Sequence, residues 1–320
     1  MTATTARRIG WIAGIAVLGA SLVAALNHIH IEQVIDELRA VRTLWIAAAL
    51  ACYVAILPLW AAQWRILAPS SERNSFTKML GVVVMTCSTL HTTAFLVGEA
   101  TGVVLLVTQI GLTRSAALSV TAMDQLLVGI AKLTVLATGA LTLTLPAWML
   151  AGVTALGAGV AALLAGCLFA AWNHEWVATR SARVLPTRMA ESLGRMGIAL
   201  APLRSPSRGG GALLLAFAKK FVEVLAILSV QRAFGVSLPL ASGVLVLAAL
   251  NLATLLPLVP GNLGIFEGAV VFVYTQLGIS AEQAAGIALV QHACYFVALG
   301  LPGYAWLALS RSARTALAAS

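Results

Sequence analysis

The sequence predicts an all-α polytopic membrane protein built from two inverted-topology repeats, each containing a broken or re-entrant helical hairpin. Of its 320 residues, 60% are hydrophobic and only 10% are charged. A soluble protein of this length has no interior large enough to bury so many apolar residues, so several membrane-spanning helices are expected. Two apolar stretches are interrupted by glycines and a glutamate, and the two interruptions resemble each other in sequence.

The stronger interruption is residues 256–268, which lies between apolar runs at 237–256 and 269–277. Proline removes a backbone donor, and glycine lowers helix stability. A carboxylate in lipid is costly, so Glu267 is expected to face a protein interior or a wet cavity. This stretch therefore predicts the tip of a broken hairpin that builds a polar site. Its backbone is expected to depend on Pro260, Gly261, Asn262 and Gly264.

The weaker interruption lies in the apolar segment 79–112, which is broken at 91–93 and again at 98–102, where Gly98 precedes Glu99. Glu267 follows Glu99 by 168 residues. After a shift of one residue, Q-I-G-L at 109–112 aligns with Q-L-G-I at 276–279, and Asp124-Gln125 aligns with Gln291-His292. These matches indicate an internal repeat.

The order of the spans gives the two hairpins opposite orientations. Three spans, at 115–145, 148–172 and 212–231, separate hairpin 79–112 from hairpin 237–277. An odd number of crossings makes the hairpins enter from opposite sides, which is typical of transporters with inverted repeats. In the alternative reading, the glycines and prolines only permit close helix packing. That reading does not explain a glutamate at the matching place in each half.

The chain divides into four parts, and its basic loops predict their orientation. The arginine-rich segment 173–210 is expected in the cytoplasm, as are both termini, with the protein in the inner (plasma) membrane. Between six and ten crossings are compatible with the pattern. The parts are a transmembrane helix with an interfacial amphipathic helix (1–43), the first repeat with hairpin 79–112 (44–145), a connecting helix and basic loop (146–211), and the second repeat with hairpin 237–277 (212–320).

Composition and motifs exclude several classes of function. The net charge is +9, but the basic residues are not clustered with aromatics, so no nucleic-acid partner is expected. The four cysteines are isolated, and no metal-ligand spacing, Walker loop, G-x-S-x-G motif or dinucleotide fingerprint occurs. We expect no metal, no cofactor and no ATPase activity. The oligomeric state is not indicated.

The two glutamates are the leading candidates for function. Glu267 and Glu99 are expected to bind a cationic headgroup or to cycle a proton, since burial favours the neutral form of a carboxyl group. Alternatively, each caps a broken helix end. Gly261 and Gly264 would let the backbone approach a ligand, and free N–H groups at a helix start favour a phosphate. The alternative for these glycines is simple turn geometry.

Other ionisable residues lie within the predicted spans. Lys219 and Glu223 have i,i+4 spacing and could pair, although a phosphate-holding role for Lys219 and Lys220 is open because two lysines exceed one glutamate. Asp124 and Lys132 share a helix face and could also pair, whereas a role in binding the substrate or a proton is open for Asp124 and Glu223. His292 and His91 titrate near neutral pH and could relay protons, or they could be hydrogen-bonded packing residues.

The motif P-G-N-L-G-I-F-E at 260–267, followed by Leu277-Gly278-Ile279 and an alanine-rich helix from Ala284, resembles the lysylphosphatidylglycerol synthase transmembrane-region family. The pattern of that family is P-G-G-L-G-x-x-E, and Gly98-Glu99 is similar to its first-half G-E signature. Asn262 departs from this pattern at the second glycine. Gln125 and Gln291-His292 stand where relatives often carry arginine.

The resemblance implies a lipid flippase that moves a polar-headed phospho- or glycolipid between leaflets. The soluble aminoacyl-transferase domain of the named synthase is not in this sequence, so synthase activity is not expected. Two alternatives remain. One is a lipid-modifying enzyme with Glu267 and His292 as acid and base. The other is a non-catalytic partner of a membrane glycosyltransferase or of another separately encoded lipid-synthesising enzyme.

Overall fold

The computed structural model describes residues 30–69, 75–93, 95–140, 205–254 and 260–309, with scattered positions between 154 and 176. The expected first transmembrane helix, most of the basic segment 173–210 and residues 256–259 lie outside the described residues. Within the described ranges the protein is helical and contains no strand. The predicted all-α class is therefore confirmed.

The described helices are α1 (Ile31–Arg39), α2 (Thr43–Leu67), α3 (Phe76–Thr92), α4 (Phe95–Leu105), α5 (Arg114–Ala140), α6 (Pro206–Ala233), α7 (Leu240–Ala253), α8 (Ile265–Gln276) and α9 (Ala281–Tyr295). Two π-helical turns, Leu106–Ile110 and Phe296–Gly300, continue α4 and α9. Among the described residues, three segments are long and apolar enough to cross a membrane, namely Thr43–Leu67, Arg114–Thr138 and Ala281–Leu309. The protein is a membrane protein.

The long helices α2 and α6 form an antiparallel pair along most of their length. At one end, the Arg42 N–H donates to the Ala233 carbonyl over 2.9 Å. At the other end, Nη2 of Arg208 donates to the carbonyls of Ile66 and Ala68 over 2.8 and 2.9 Å. Arg208 thus satisfies carbonyls at the C-terminus of α2 and places a positive charge at the negative end of that helix.

Helices α3 and α4 form the first hairpin, and their chain reversal follows Thr92. The second expected break, at 98–102, is wrong because these residues are helical and belong to α4. Gly98 has a packing role instead, since a Cβ atom there would lie 2.7 Å from the Cα of Leu90. At Gly102 a Cβ atom would meet Thr86 at 3.0 Å. The two glycines, one turn apart on α4, allow α3 and α4 to approach closely.

Helices α7 and α8 form the second hairpin, and the glycines at its tip do supply turn geometry. Gly261 and Gly264 have φ angles of 66° and 82°, in the region that side chains disfavour. Asn262 shares this left-handed conformation with φ of 56° and is the one non-glycine residue with positive φ in the described part of the chain. Asparagine is among the few side chains that tolerate it.

Helix α1 confirms the expected amphipathic helix, over 31–39. Val34 is buried, whereas Ile31, Ile35 and Leu38 are 64%, 44% and 36% exposed. Glu37 accepts a hydrogen bond of 3.1 Å from Nε2 of Gln283 at the start of α9. This contact fixes α1 against one end of the helix bundle and leaves an apolar face outward. Its location at the outer membrane interface stays a prediction.

The segments before α5 and α9 have the same local structure. Each begins with a left-handed glycine, Gly111 (φ 81°) and Gly278 (φ 83°). Two residues later, Thr113 accepts a hydrogen bond from the Ala116 N–H, and Ser280 accepts one from the N–H three residues on. Because both glycines and both caps are 167 residues apart, these features fall in the register of the expected repeat.

We expect Gly98→Ala to destabilise the protein by about 1–3 kcal/mol, because the added methyl group collides with the α3 backbone. Gly210→Ala is the matched control, since a Cβ atom there has no neighbour within 4 Å and alanine favours helix. Thermal unfolding of both variants in detergent measures the difference. Equal melting temperatures for the two variants would contradict the close approach of α3 and α4.

Candidate functional site

The tips of the two hairpins meet inside the bundle. A Cβ atom at Gly261 would lie 3.1 Å from the carbonyl oxygen of His91, in the last turn of α3. Beside this contact is a cavity of about 430 Å³, here called the tip cavity. It is lined by His91, Thr92, Gly261, Glu267, His292 and Phe296, among others.

A carboxylate–imidazole pair lies in the wall of the tip cavity. Oε1 of Glu267, in the first turn of α8, is 2.7 Å from Nδ1 of His292 on α9. Oε2 of Glu267 accepts a hydrogen bond of 2.7 Å from the Gly264 N–H. The side chains of Glu267 and His292 are 24% and 7% exposed. Glu267 therefore caps the broken helix with one oxygen and contacts a titratable group with the other.

Aromatic rings hold the imidazole in place. Phe266 stacks on His292 with a centroid distance of 4.3 Å. Tyr295 contacts Phe266 at 5.7 Å and His91 at 4.9 Å. Both predicted histidines are thus packed and near the cavity. Cys87 O and Nδ1 of His91 are 2.6 Å apart, so His91 also has a hydrogen-bond partner within α3.

Glu99 has the corresponding partner in the first half. Oε1 of Glu99 accepts a hydrogen bond of 2.8 Å from Nε2 of Gln125, on α5. Gln125 is the residue that aligned with His292 in the sequence. Each glutamate therefore contacts the residue at the matching position of the expected repeat. Glu99 is not among the residues that line the tip cavity.

Asp124 and Lys219 form a buried ion pair between α5 and α6. Their charged atoms are 3.4 Å apart, and the residues are 2% and 5% exposed. Nε1 of Trp60 donates to the second oxygen of Asp124 over 2.8 Å, and the Lys219 ammonium lies 5.0 Å from the Trp60 ring centroid. Each charge is therefore satisfied within the protein.

This geometry overturns two expected pairings. Lys219 does not pair with Glu223, because Glu223 bonds Lys220 over 2.6 Å. Asp124 does not pair with Lys132, because eight residues of helix place them about 12 Å apart along the axis. Lys219 reaches Asp124 from the neighbouring helix instead. Lys219 is thus neutralised by Asp124 and Lys220 by Glu223, so the expected phosphate-holding role of these two lysines stays a prediction.

A second cavity has Asn262 and Phe266, at the α8 tip, in its wall, and we call it the inner cavity. Its volume is about 90 Å³. Phe266 and Tyr295 line it, and their rings contact His292 and His91 in the wall of the tip cavity, so they lie between the two cavities. Its polar lining consists of Thr254, whose hydroxyl donates to the Leu250 carbonyl, and of Tyr53, Lys132, Lys220, Glu223, Asn251 and Asn262.

Sequence reasoning missed three residues at these sites. Trp60 and Tyr53 gave no signal, because aromatic residues are common in apolar helices. Asn251 could have been identified from the sequence, because it is the single amide side chain in the apolar run 237–256. A polar side chain in a membrane helix usually faces a partner or a cavity, and Asn251 does both.

The family to which the chain belongs can now be stated. The sequence profile of the family described as "Lysylphosphatidylglycerol synthase TM region" matches residues 11–303. The chain belongs to this family. The resemblance seen in the tip motif is thereby confirmed, and membership indicates a lipid-related function. No curated protein and no solved structure gives a significant match to the chain.

The structure accounts for the one departure of this member from the tip motif. Where the pattern has its second glycine, Asn262 adopts the left-handed backbone that glycine favours. Its side chain adds a buried Oδ1 atom in the wall of the inner cavity. The substitution thus keeps the turn and changes the polar lining.

The Asp124–Lys219 pair gives a testable stability prediction. Asp124→Asn, which keeps an oxygen acceptor for Trp60, and Lys219→Met each leave one buried charge unpaired and should cost about 3–5 kcal/mol. The double variant removes both charges and should be more stable than either single variant. Thermal or denaturant unfolding in detergent completes the cycle. Strictly additive losses would contradict a direct pair.

Proposed function

We propose that this protein is a lipid translocase of the inner membrane, which binds the polar headgroup of a phospho- or glycolipid in the tip cavity. The observation that carries the proposal is the Glu267–His292 pair at the tip of a broken helix, lining a cavity of about 430 Å³ in an apolar bundle. Lipid tails need no polar path, so they remain in the bilayer while the headgroup moves.

The proposal includes two inverted repeats, which the direction of α5 supports. Asp124 on α5 pairs with Lys219 on α6. Lys132, two turns later on α5, lines the inner cavity with Glu223, one turn later on α6. Because later residues of α5 lie near later residues of α6, the two helices run in the same direction.

Helix α9, which corresponds to α5 in the repeat, runs the other way. At its start, Nε2 of Gln283 donates to the carbonyl of Phe234, just beyond the end of α6, over 3.5 Å. Further along, Tyr295 lines the inner cavity with Glu223, which lies nearer the middle of α6. Corresponding helices of opposite direction are what an inverted repeat requires.

We propose further that the hairpins are re-entrant. Helices α7 and α8 have 14 and 12 residues, whereas about 20 are needed to cross the hydrocarbon core. Ser242, near the start of α7, and Gln283, just after α8, both bond residues near the C-terminal end of α6. The second hairpin therefore enters and leaves at the same end of the bundle.

The chemistry of the tip suits reversible headgroup binding. Glu267 is held by backbone and imidazole donors, and a cationic or hydroxyl-bearing headgroup can compete for the same oxygens. The imidazole of His292 can likewise exchange its hydrogen bond with Glu267 for one to the headgroup as the lipid arrives and leaves. Binding and release of the headgroup at the tip, between the two leaflets, would let the lipid pass from one leaflet to the other.

A second candidate function rests on the same pair. A carboxylate 2.7 Å from an imidazole is also the geometry of an acid–base pair, as in a membrane enzyme that modifies lipid. Conversion of a lipid to a new species by the purified protein would favour this enzyme. Redistribution of an unchanged lipid would favour the translocase. The glycosyltransferase-partner hypothesis stays a prediction from the sequence.

Glu267→Gln and Glu99→Gln should each slow leaflet-resolved lipid movement in proteoliposomes by about tenfold or more, the effect of losing one charged hydrogen bond. Glu32→Gln, on the exposed surface of α1, is the matched control and should move lipid at the wild-type rate. Both site variants must be folded and inserted. Unchanged lipid movement in Glu267→Gln and Glu99→Gln would rule out the proposed roles.

A further inference from the structure

The inner cavity has an excess of positive charge and of hydrogen-bond donors. Two lysines, Lys132 and Lys220, line it together with one carboxylate, Glu223. Glu223 bonds Lys220, whereas Lys132 forms no ion pair with any carboxylate in the described part of the chain. The ionised lining therefore carries one positive charge without a counter-ion.

Asn251 adds an unused donor to the same wall. The residue is only 5% exposed. Its Oδ1 atom accepts from Lys220 over 3.4 Å, which orients the amide. Its Nδ2 atom is buried and has no hydrogen-bond partner. A buried donor without a partner is costly, so the site is incomplete as it stands.

The lining of the inner cavity also offers an acceptor. Oδ1 of Asn262 is buried without a partner and lines the cavity. A ligand that completes this site therefore brings a negative charge for Lys132, acceptor oxygens for the Asn251 amide, and a hydroxyl for Asn262. A phosphate ester that carries a hydroxyl group has all three.

We propose that the inner cavity is a binding site for a phosphate group, held by Lys132 and Asn251 with Lys220 in support. Lys220 is less available than Lys132 because Glu223 already pairs with it. The site is separate from the Glu267–His292 pair, and Phe266 and Tyr295 stand between the two cavities. The phosphate belongs either to a phospholipid headgroup or to a free phosphate, and the test below distinguishes these two sources. That lipid source rests on the proposed translocase, whereas the phosphate site itself does not.

The test uses two probes on the purified full chain in neutral detergent. The first is inorganic phosphate, with binding followed by calorimetry. The second is a pair of lipids with the same tails, dioleoylphosphatidylglycerol and dioleoylglycerol, whose retention is followed by native mass spectrometry. We expect phosphate to bind and the phosphate-bearing lipid to be retained over the other.

Lys132→Met should weaken both interactions by about tenfold, the effect of losing one charged hydrogen bond. Lys78→Met, at an exposed position at the start of α3, is the matched control and should bind as wild type. Glu223→Gln should act in the opposite direction and tighten phosphate binding, because it frees Lys220. If these residues had only a structural role, one substitution would not raise the affinity for phosphate while the other lowers it.

Each outcome decides the matter. Phosphate binding without lipid selection supports the phosphate site but assigns it to a free phosphate, and it counts against a phospholipid cargo. Selective lipid retention without lipid movement in proteoliposomes supports the site and contradicts the translocase. The proposal is overturned if neither probe binds wild type, or if Lys132→Met and Lys78→Met bind equally and Glu223→Gln gains nothing.

Discussion

A charge inside an apolar bundle must have a partner, and much of this structure follows from that constraint. Removing an ion from water costs several kcal/mol, which only a close counter-charge or several hydrogen bonds can offset. Two of the pairs described here join neighbouring helices and the third lies within α6, and where the pairing is incomplete a cavity is found. The described pairs are Asp124–Lys219, Lys220–Glu223 and Glu267–His292.

The broken backbone of the hairpins is subject to the same constraint. A helix that ends inside the membrane exposes N–H and C=O groups that lipid cannot satisfy. Here the α8 end is capped by the carboxylate of Glu267, and the α3 end approaches Gly261. The carboxylate that caps the break therefore also lines the tip cavity. The same carboxylate thus stabilises the broken helix and is proposed to bind the headgroup.

The sequence predicted the features that are local and missed those that join distant helices. The tip motif, the glutamates, the amphipathic helix α1 and the α5 and α9 boundaries follow from residue type and spacing. The Asp124–Lys219 pair does not, because its members are 95 residues apart and spacing reports only neighbours on one helix. Gly98 was misjudged for a related reason: whether a glycine breaks a helix or packs one depends on its neighbour, here Leu90.

The central claim is that the two hairpins enter the membrane from opposite sides, and the two equivalent caps test it directly. The variants are Thr113→Cys and Ser280→Cys, each in a chain whose four native cysteines are replaced by serine. Both positions are exposed, and both substitutions remove the same kind of helix cap. Intact cells are treated with a membrane-impermeant thiol reagent, and permeabilised cells provide the total. The account predicts that Ser280→Cys is labelled from outside and Thr113→Cys only after permeabilisation. Labelling of both from the same side would contradict it.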